Sequence, residues 1–476
     1  MPRVAGDTSS KSGGVFDNVM TGSTTRIRDI SYVRSFLRSR AGLVTVCTLY
    51  IGIFVILYEQ LVVPVWGYEG FHSRTTLGHA VVGWILAAIP SLWMPARLER
   101  PSQVVYWMLY MLVLVPACLV PIYALDDQSS GPLLFATSLV ISFALVGTIY
   151  RFPLLPLPRM RVHSYEFKIG LLLLSICSYA LIVSSFGFQF HYIAFNDTYI
   201  VRAQFQNSVD QAPMLVGYAI GWQAWVVNPL IMAIGLRSRR TSWIVAGAIG
   251  EYAIYSITAF RSMLFSAGLL LYLLWAMRSY KAFGARLIAM WTALFAGAGA
   301  LQLIGYSIIP ESLLGVRMTA LPGLLTGYYY EYFSSHPKTH LGHSIFRFFL
   351  DYPYAVEPPY LIGATYFHSP SNDANANVWA DAYANFGYLG VIVFTLLLAA
   401  LLWIYDSMAT ECDIRLATLA MALPAFSLAN GALLTSLLTN GMGLAMMLVY
   451  LMPRAVYEDS RDGPALVRPA RAISRA

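Results

Sequence analysis

Charge is what this chain lacks most. Only 12% of its 476 residues are Asp, Glu, Lys or Arg, while 58% are hydrophobic and the mean hydropathy is +0.60. A soluble domain of this length carries about twice that share of charge, and a water-soluble core cannot absorb so much apolar surface. Cysteine is scarce too: Cys47, Cys118, Cys177 and Cys412 lie in or beside apolar runs, which excludes a disulfide framework and reads as small buried hydrophobes. No short apolar segment with a small-residue cleavage site opens the sequence, so residues 1–42, ending in Arg26, Arg28, Arg34, Arg38 and Arg40, read as a cytoplasmic tail rather than a signal peptide.

What is present instead is a series of apolar runs long enough to cross a bilayer, near 43–63, 76–95, 103–123, 132–150, 169–190, 214–236, 241–260, 263–277, 287–308, 383–405, 414–430 and 434–451. The expectation is an all-α, polytopic transmembrane helix bundle of about 12 spans, forming one domain over 43–451, followed by a cytoplasmic tail at 452–476. With the N-terminus inside, this count leaves only Arg74, Arg202, Arg261, Arg317, Lys338 and Arg347 of the 31 basic residues outside. One missed or added span would destroy that bias, so the net charge of +7 reads as a topology signal and calls for no nucleic acid.

Two outer loops are long, 191–213 and 309–382, the second a large loop between spans nine and ten. Loops of that length are uncommon unless functional or carrying short helices, which puts the expected chemistry at the outer face. There, the outer arginines Arg202, Arg261 and Arg317 offer planar donor forks suited to phosphate; the competing reading is snorkelling, or an ion pair such as Glu251 with Arg261. A general base would come from Glu311, Glu331, Asp351, Glu357, Asp373 and Asp381. His336, His340 and His343 have a spacing that a helix would gather on one face, but Pro337 restricts that helix and no acidic ligand completes the pattern, so no metal is expected. Tyr328, Tyr329, Tyr330, Tyr332 and Phe333 form an aromatic run equally suited to an interfacial belt or a sugar platform. Asn196-Asp197-Thr198 reads as a chance glycosylation sequon, and Asp126-Asp127 as a solvated turn.

Two stretches carry a resemblance. Arg317-x4-Pro322-Gly323, then Tyr328-Tyr329 and Tyr332-Phe333, resembles the R…PG…Y…FF signature of the Wzy-type O-antigen (oligosaccharide repeat-unit) polymerases. Asn372–Gly390, NDANANVWADAYANFGYLG, resembles the small and polar run of that family where the large outer loop enters the next helix. Thr258–Ser262 is similar to its weaker G-x-R-S element without the glycine, and about forty residues match closely in all. Pro322-Gly323 is expected to kink an interfacial helix, Gly387 and Gly390 to allow close packing, and Asn372 or Asp373 to cap the next helix.

The resemblance implies a metal- and cofactor-independent glycosyltransferase of the bacterial inner (cytoplasmic) membrane, making O-antigen lipopolysaccharide or a related surface polysaccharide. It would join undecaprenyl-diphosphate-linked oligosaccharides at the periplasmic face, beside a flippase and a chain-length regulator. Arg202, Arg261 and Arg317 would hold the diphosphate, and Arg317, Asp381 and Glu331 would be catalytic, an acid taking the hydroxyl proton. Tyr328, Tyr329, Tyr332, Asn375, Asn377 and Asn385 would contact glycan. The alternatives are a ligase moving finished glycan to an acceptor, or a polysaccharide-lipid transporter; the latter wants several deep ionisable residues and internal repeats, whereas only Glu251 looks deep.

Overall fold

The computed structural model describes residues 35–126, 129–158, 162–194 and 197–453; the basic N-terminal residues through Arg34, Asp127, Asn196 and the tail from 454 lie outside the described residues. The described chain is all helical, without a strand. Its elements are α1 (Arg40–Glu69), α2 (Leu77–Leu92), α3 (Gln103–Ala124), α4 (Gly131–Arg151), α5 (Ser164–Phe186), α6 (Thr198–Gln211), α7 (Met214–Ser238), α8 (Thr241–Thr258), α9 (Ser262–Ala276) and α10 (Tyr280–Leu303). Then come α11 (Ile309–Glu311, Ser312–Ala320 and Leu321–Ser335 in one run), α12 (Pro358–Tyr366), α13 (Val378–Met408), α14 (Ile414–Ser427) and α15 (Leu433–Leu451).

Each of the twelve apolar runs falls on a helix. Among the described residues, eight (α1, α3, α4, α5, α7, α10, α13 and α15) are long and apolar enough to cross a membrane, while α2, α9 and α14 are shorter. Helix α8 has the length, but Glu251 and several polar residues dilute it. The protein is a membrane protein by this measure. Helix α3 is its axis, buried over its whole apolar window, whereas α5 is mostly bare and apolar, as lipid contact demands. Cys47, Cys118 and Cys412 are buried; Cys177, on α5, is exposed.

At four of the prolines inside these helices one device recurs. The wide-turn segments Tyr58–Val62, Tyr110–Leu114, Gln223–Val227 and Ser312–Ala320 end two residues before Pro64, Pro116, Pro229 and Pro322. Proline has no N–H and its ring clashes with the carbonyl four residues back. Opening the preceding turn to an i→i+5 pattern moves that carbonyl aside. At Pro322-Gly323 the helix does not break: Ala320 and Leu321 keep helical dihedrals and α11 runs on.

Helix α11 is the main departure from the sequence reading, which placed its residues in a loop. Its second half is buried against α3 and α13. Gly323 and Gly327 permit that contact, because a Cβ there would lie 2.6 Å from the Pro116 carbonyl oxygen and 3.1 Å from Pro121 Cβ.

The helix ends sort into two groups. At one, rich in arginine, Arg40 donates to the Ser91 and Met94 carbonyls, Arg100 to those of Ile149 and Phe152, Arg237 pairs with Asp413 at 2.6 Å, and Arg415 reaches the Tyr280 hydroxyl. Asp406 receives the Ser102 N–H and hydroxyl at 3.0 and 2.7 Å, tying α13 to the start of α3. At the other group, Tyr58 donates to the His72 carbonyl, the Arg74 N–H to that of Tyr123, and Arg74 pairs with Asp126.

Candidate functional site

The two family-like stretches, separated in sequence, meet in space where α11 packs on the head of α13. Asn377, not Asn372 or Asp373, caps α13: its Oδ1 accepts the Trp379 and Ala380 N–H groups at 3.1 and 3.2 Å. Its Nδ2 donates to Thr326 Oγ1 of α11 at 2.6 Å, and the Tyr329 hydroxyl donates to the Ala374 carbonyl.

Two turns further, α13 breaks at Phe386 (φ −143°) and Gly387 (φ +62°, ψ −145°). Only glycine adopts the second conformation readily, so Gly387 makes a bend rather than a packing contact. The bend frees two carbonyls: Ala384 O accepts the Thr339 N–H at 3.0 Å and Asn385 O the His340 N–H at 3.3 Å. Asn385 Oδ1 also accepts from the Thr339 hydroxyl and the Leu341 N–H, each at 2.7 Å, while its Nδ2 donates to Asp381 O. The 338–343 segment is thus latched onto the broken helix.

Under the latch, His343 Nε2 lies 3.8 Å from Asp381 Oδ1, both largely buried. Burial pulls the His343 imidazole down to about 4 and raises the Asp381 carboxyl to about 7, so at pH 7 the imidazole is neutral and the contact is carboxyl to imidazole rather than an ion pair. Tyr352 lies against the His343 ring at 5.7 Å. The Lys338 ammonium lies over Tyr383, 4.2 Å from the centroid, bonds the Phe333 carbonyl, and is lowered by desolvation. A carboxyl and an imidazole in contact in a buried seat can take up and pass on a proton.

Several expectations need correction. Asn377, Asn385 and Tyr329 are buried and committed to the latch and the helix junction, so they hold the site together and present nothing to a glycan. Tyr328 stacks on Tyr366 at 4.0 Å, Tyr332 on His336 at 4.1 Å, and exposed Asn375 bonds Asp373. The three histidines do not converge: His336 is on Tyr332, His340 on Phe386, and His343 beside Asp381.

Arg317, Asp381 and Glu331 do not form one set. Arg317 is exposed on the wide-turn half of α11, and Tyr329, the α11 residue within electrostatic reach of Asp381, lies roughly 17 Å farther along the axis. Glu331 is farther still and hydrogen bonds Tyr366. Arg202 and Arg261 are neighbours elsewhere, bracing α6: Arg202 donates to the Ala259 carbonyl and covers Phe260, and Arg261 donates to Thr198 Oγ1 at 2.6 Å. Arg261 does not meet Glu251, whose two carboxyl oxygens are buried without a hydrogen-bond partner.

Sequence reasoning missed His343 as a partner of Asp381, because the two lie 38 residues apart and only the bend joins them. It missed Lys338 too, although a lysine kept outside against the charge bias was the available signal. No family model matches the chain, and neither a curated protein nor a solved structure is similar to it.

Proposed function

We propose that the chain is a lipid-linked glycan polymerase of a bacterial inner membrane, joining undecaprenyl-diphosphate-linked oligosaccharides at the end of the bundle opposite the arginine-rich one. The observation that carries this reading is the junction of α11 and α13. The Arg317–Phe333 and Asn372–Gly390 stretches, which carry the resemblance separately, pack together around a buried carboxylate and imidazole.

In this reading the hydroxyl oxygen of the acceptor repeat unit attacks the anomeric carbon of the donor. The new C–O bond forms as the bond to the donor diphosphate breaks, and the diphosphate lipid leaves with the electron pair. Asp381, beside His343, takes the hydroxyl proton. Lys338, over Tyr383 at the head of α13, meets the departing diphosphate, whose charge grows as the bond breaks. Arg317, a length of helix away, holds the diphosphate of the acceptor lipid.

The test is incubation of purified protein with a lipid-diphosphate repeat unit, followed by gel analysis of chain length. Oligomers support the reading, and unchanged single units refute it. In cells, the Arg317→Ala protein stays inserted and abundant but gives glycan of single-repeat length. A ligase would instead leave long chains on the carrier lipid when the protein is removed.

A further inference from the structure

After the latch the chain makes a run of tight turns, and residues 345–350, Ile-Phe-Arg-Phe-Phe-Leu, are all exposed. Phe348 and Phe349 are 78% and 85% exposed, more than almost any other large apolar side chain described, and Arg347 lies over the Phe348 ring at 5.0 Å. Five apolar residues in six form a projecting knob, which water alone would not tolerate well. Its base is rigid. Thr339 and Leu341 are bound to Asn385, and Gly342 presses on the Asp351 carbonyl, so the ends of the knob are held together.

The position of that base decides what the tip meets. Below the Gly387 bend, α13 continues to Met408, and this stretch is about 30 Å long at 1.5 Å per residue, the thickness of a hydrocarbon core. Leu389, Ile392, Val393 and Leu396 form an exposed apolar stripe on it, starting two residues past the bend. The bend therefore marks where α13 leaves hydrocarbon, and the knob is latched to Ala384 and Asn385, immediately above. Its base therefore lies at the level where the lipid-facing stripe begins.

We propose that residues 345–350 are a membrane-resting knob: the four hydrocarbon side chains nearest the tip, Phe346, Phe348, Phe349 and Leu350, enter the headgroup–acyl boundary, and Arg347 meets lipid phosphate. Aromatic and aliphatic side chains with a neighbouring cation are what that boundary favours. The knob sits on the segment that covers Asp381, so the bilayer surface holds this cover in place. The inference concerns only where the loop rests and stands whether or not the chain polymerises glycan.

The experiment uses the full chain in phosphatidylcholine–phosphatidylglycerol liposomes. A nitroxide is attached at Phe348→Cys or Phe349→Cys in a Cys177→Ser background, the other cysteines being buried. Ser334→Cys, on the exposed end of α11, is the aqueous reference. Expected is a several-fold higher ratio of collisions with oxygen to collisions with a water-soluble nickel chelate at 348 and 349 than at 334. Ratios equal to that at 334 would put the tip in water and overturn the proposal. Protection from both reagents would overturn it as well, by showing the tip buried against protein.

Discussion

Asn385→Ala tests the latch most directly. The side chain is buried and makes three hydrogen bonds, accepting from the Thr339 hydroxyl and the Leu341 N–H and donating to Asp381 O. Each bond contributes about 1 kcal/mol net, and leaving a buried donor such as the Leu341 N–H unpaired costs about 1–3 kcal/mol. The expected loss is therefore roughly 2–5 kcal/mol, spent on local opening of 338–343, since the α11–α13 junction through Asn377 is untouched. At 1.4 kcal/mol per factor of ten, amide exchange at residues 339–341 should accelerate by about one and a half to three and a half orders of magnitude. Amides of α3 should be unaffected. A double-mutant cycle with Thr339→Val should return a coupling of about 1 kcal/mol, because the two side chains touch at 2.7 Å. Unchanged exchange at 339–341, or strictly additive costs, would refute the latch.

Gly387→Ala places a side chain at φ +62° where space is open, its nearest neighbour being Lys338 Cε at 3.5 Å; the cost of about 1–3 kcal/mol is thus conformational, and should appear as a lower melting temperature in detergent that Lys338→Ala does not rescue. Acidification should act on the cover through two opposed groups: burial holds the docked His343 down at about 4, which weakens docking as pH falls from 6.5 towards 4, whereas burial raises the Asp381 carboxyl to about 7, which favours docking over the same window; His343→Gln removes only the first, so protease cleavage within 338–351 at pH 4–5 should be slower in His343→Gln than in wild type. Asp406→Ala strips the partner from the buried Ser102 N–H and leaves the Ser102 hydroxyl only the Tyr150 hydroxyl, and should lower thermal stability by about 2–4 kcal/mol while leaving exchange at 339–341 as it was.

The sequence made the helices legible for a plain reason: bilayer solvent selects length and apolarity, and neither depends on tertiary partners. Helix α11 escaped because its partners are other helices. Glu311, Arg317 and a cluster of tyrosines lower its hydropathy, yet Glu311 is fully buried, with both oxygens lacking a hydrogen-bond partner. The Gly323-x3-Gly327 spacing was the overlooked sign of close packing. The asparagines misled in an informative way. Asn377 and Asn385 lie in a polar run where the large outer loop enters the next helix, which suggested ligand contacts, but a cap needs its partners two or three residues on and a latch needs them 44–46 residues back. Nothing local distinguishes an asparagine facing sugar from one facing backbone.

The separation of Arg317 from Asp381 bears on how a polymerase would have to work. Two carrier lipids are held at once. The donor diphosphate must lie at the reacting carbon, but the acceptor diphosphate lies a whole repeat unit from the hydroxyl that attacks. Such an enzyme requires a cation near the base and a cation an oligosaccharide away, and in the proposed reading Lys338, over Tyr383 at the head of α13, and Arg317, on the far half of α11, fill those roles. The two sites then differ in kinetics. Arg317→Ala removes binding that is equal in ground and transition states, so it should raise the KM for acceptor with kcat nearly kept. Asp381→Asn removes proton acceptance and should lower kcat by about 10²–10⁴ with KM little changed. An acceptor oligosaccharide lacking the diphosphate separates the cases further. Wild type should use it with a raised KM, and Arg317→Ala should handle it no worse than wild type does. If Arg317→Ala instead cuts kcat with this truncated acceptor as severely as Asp381→Asn, Arg317 acts at the reacting carbon, and α11 must move relative to α13 before glycosyl transfer.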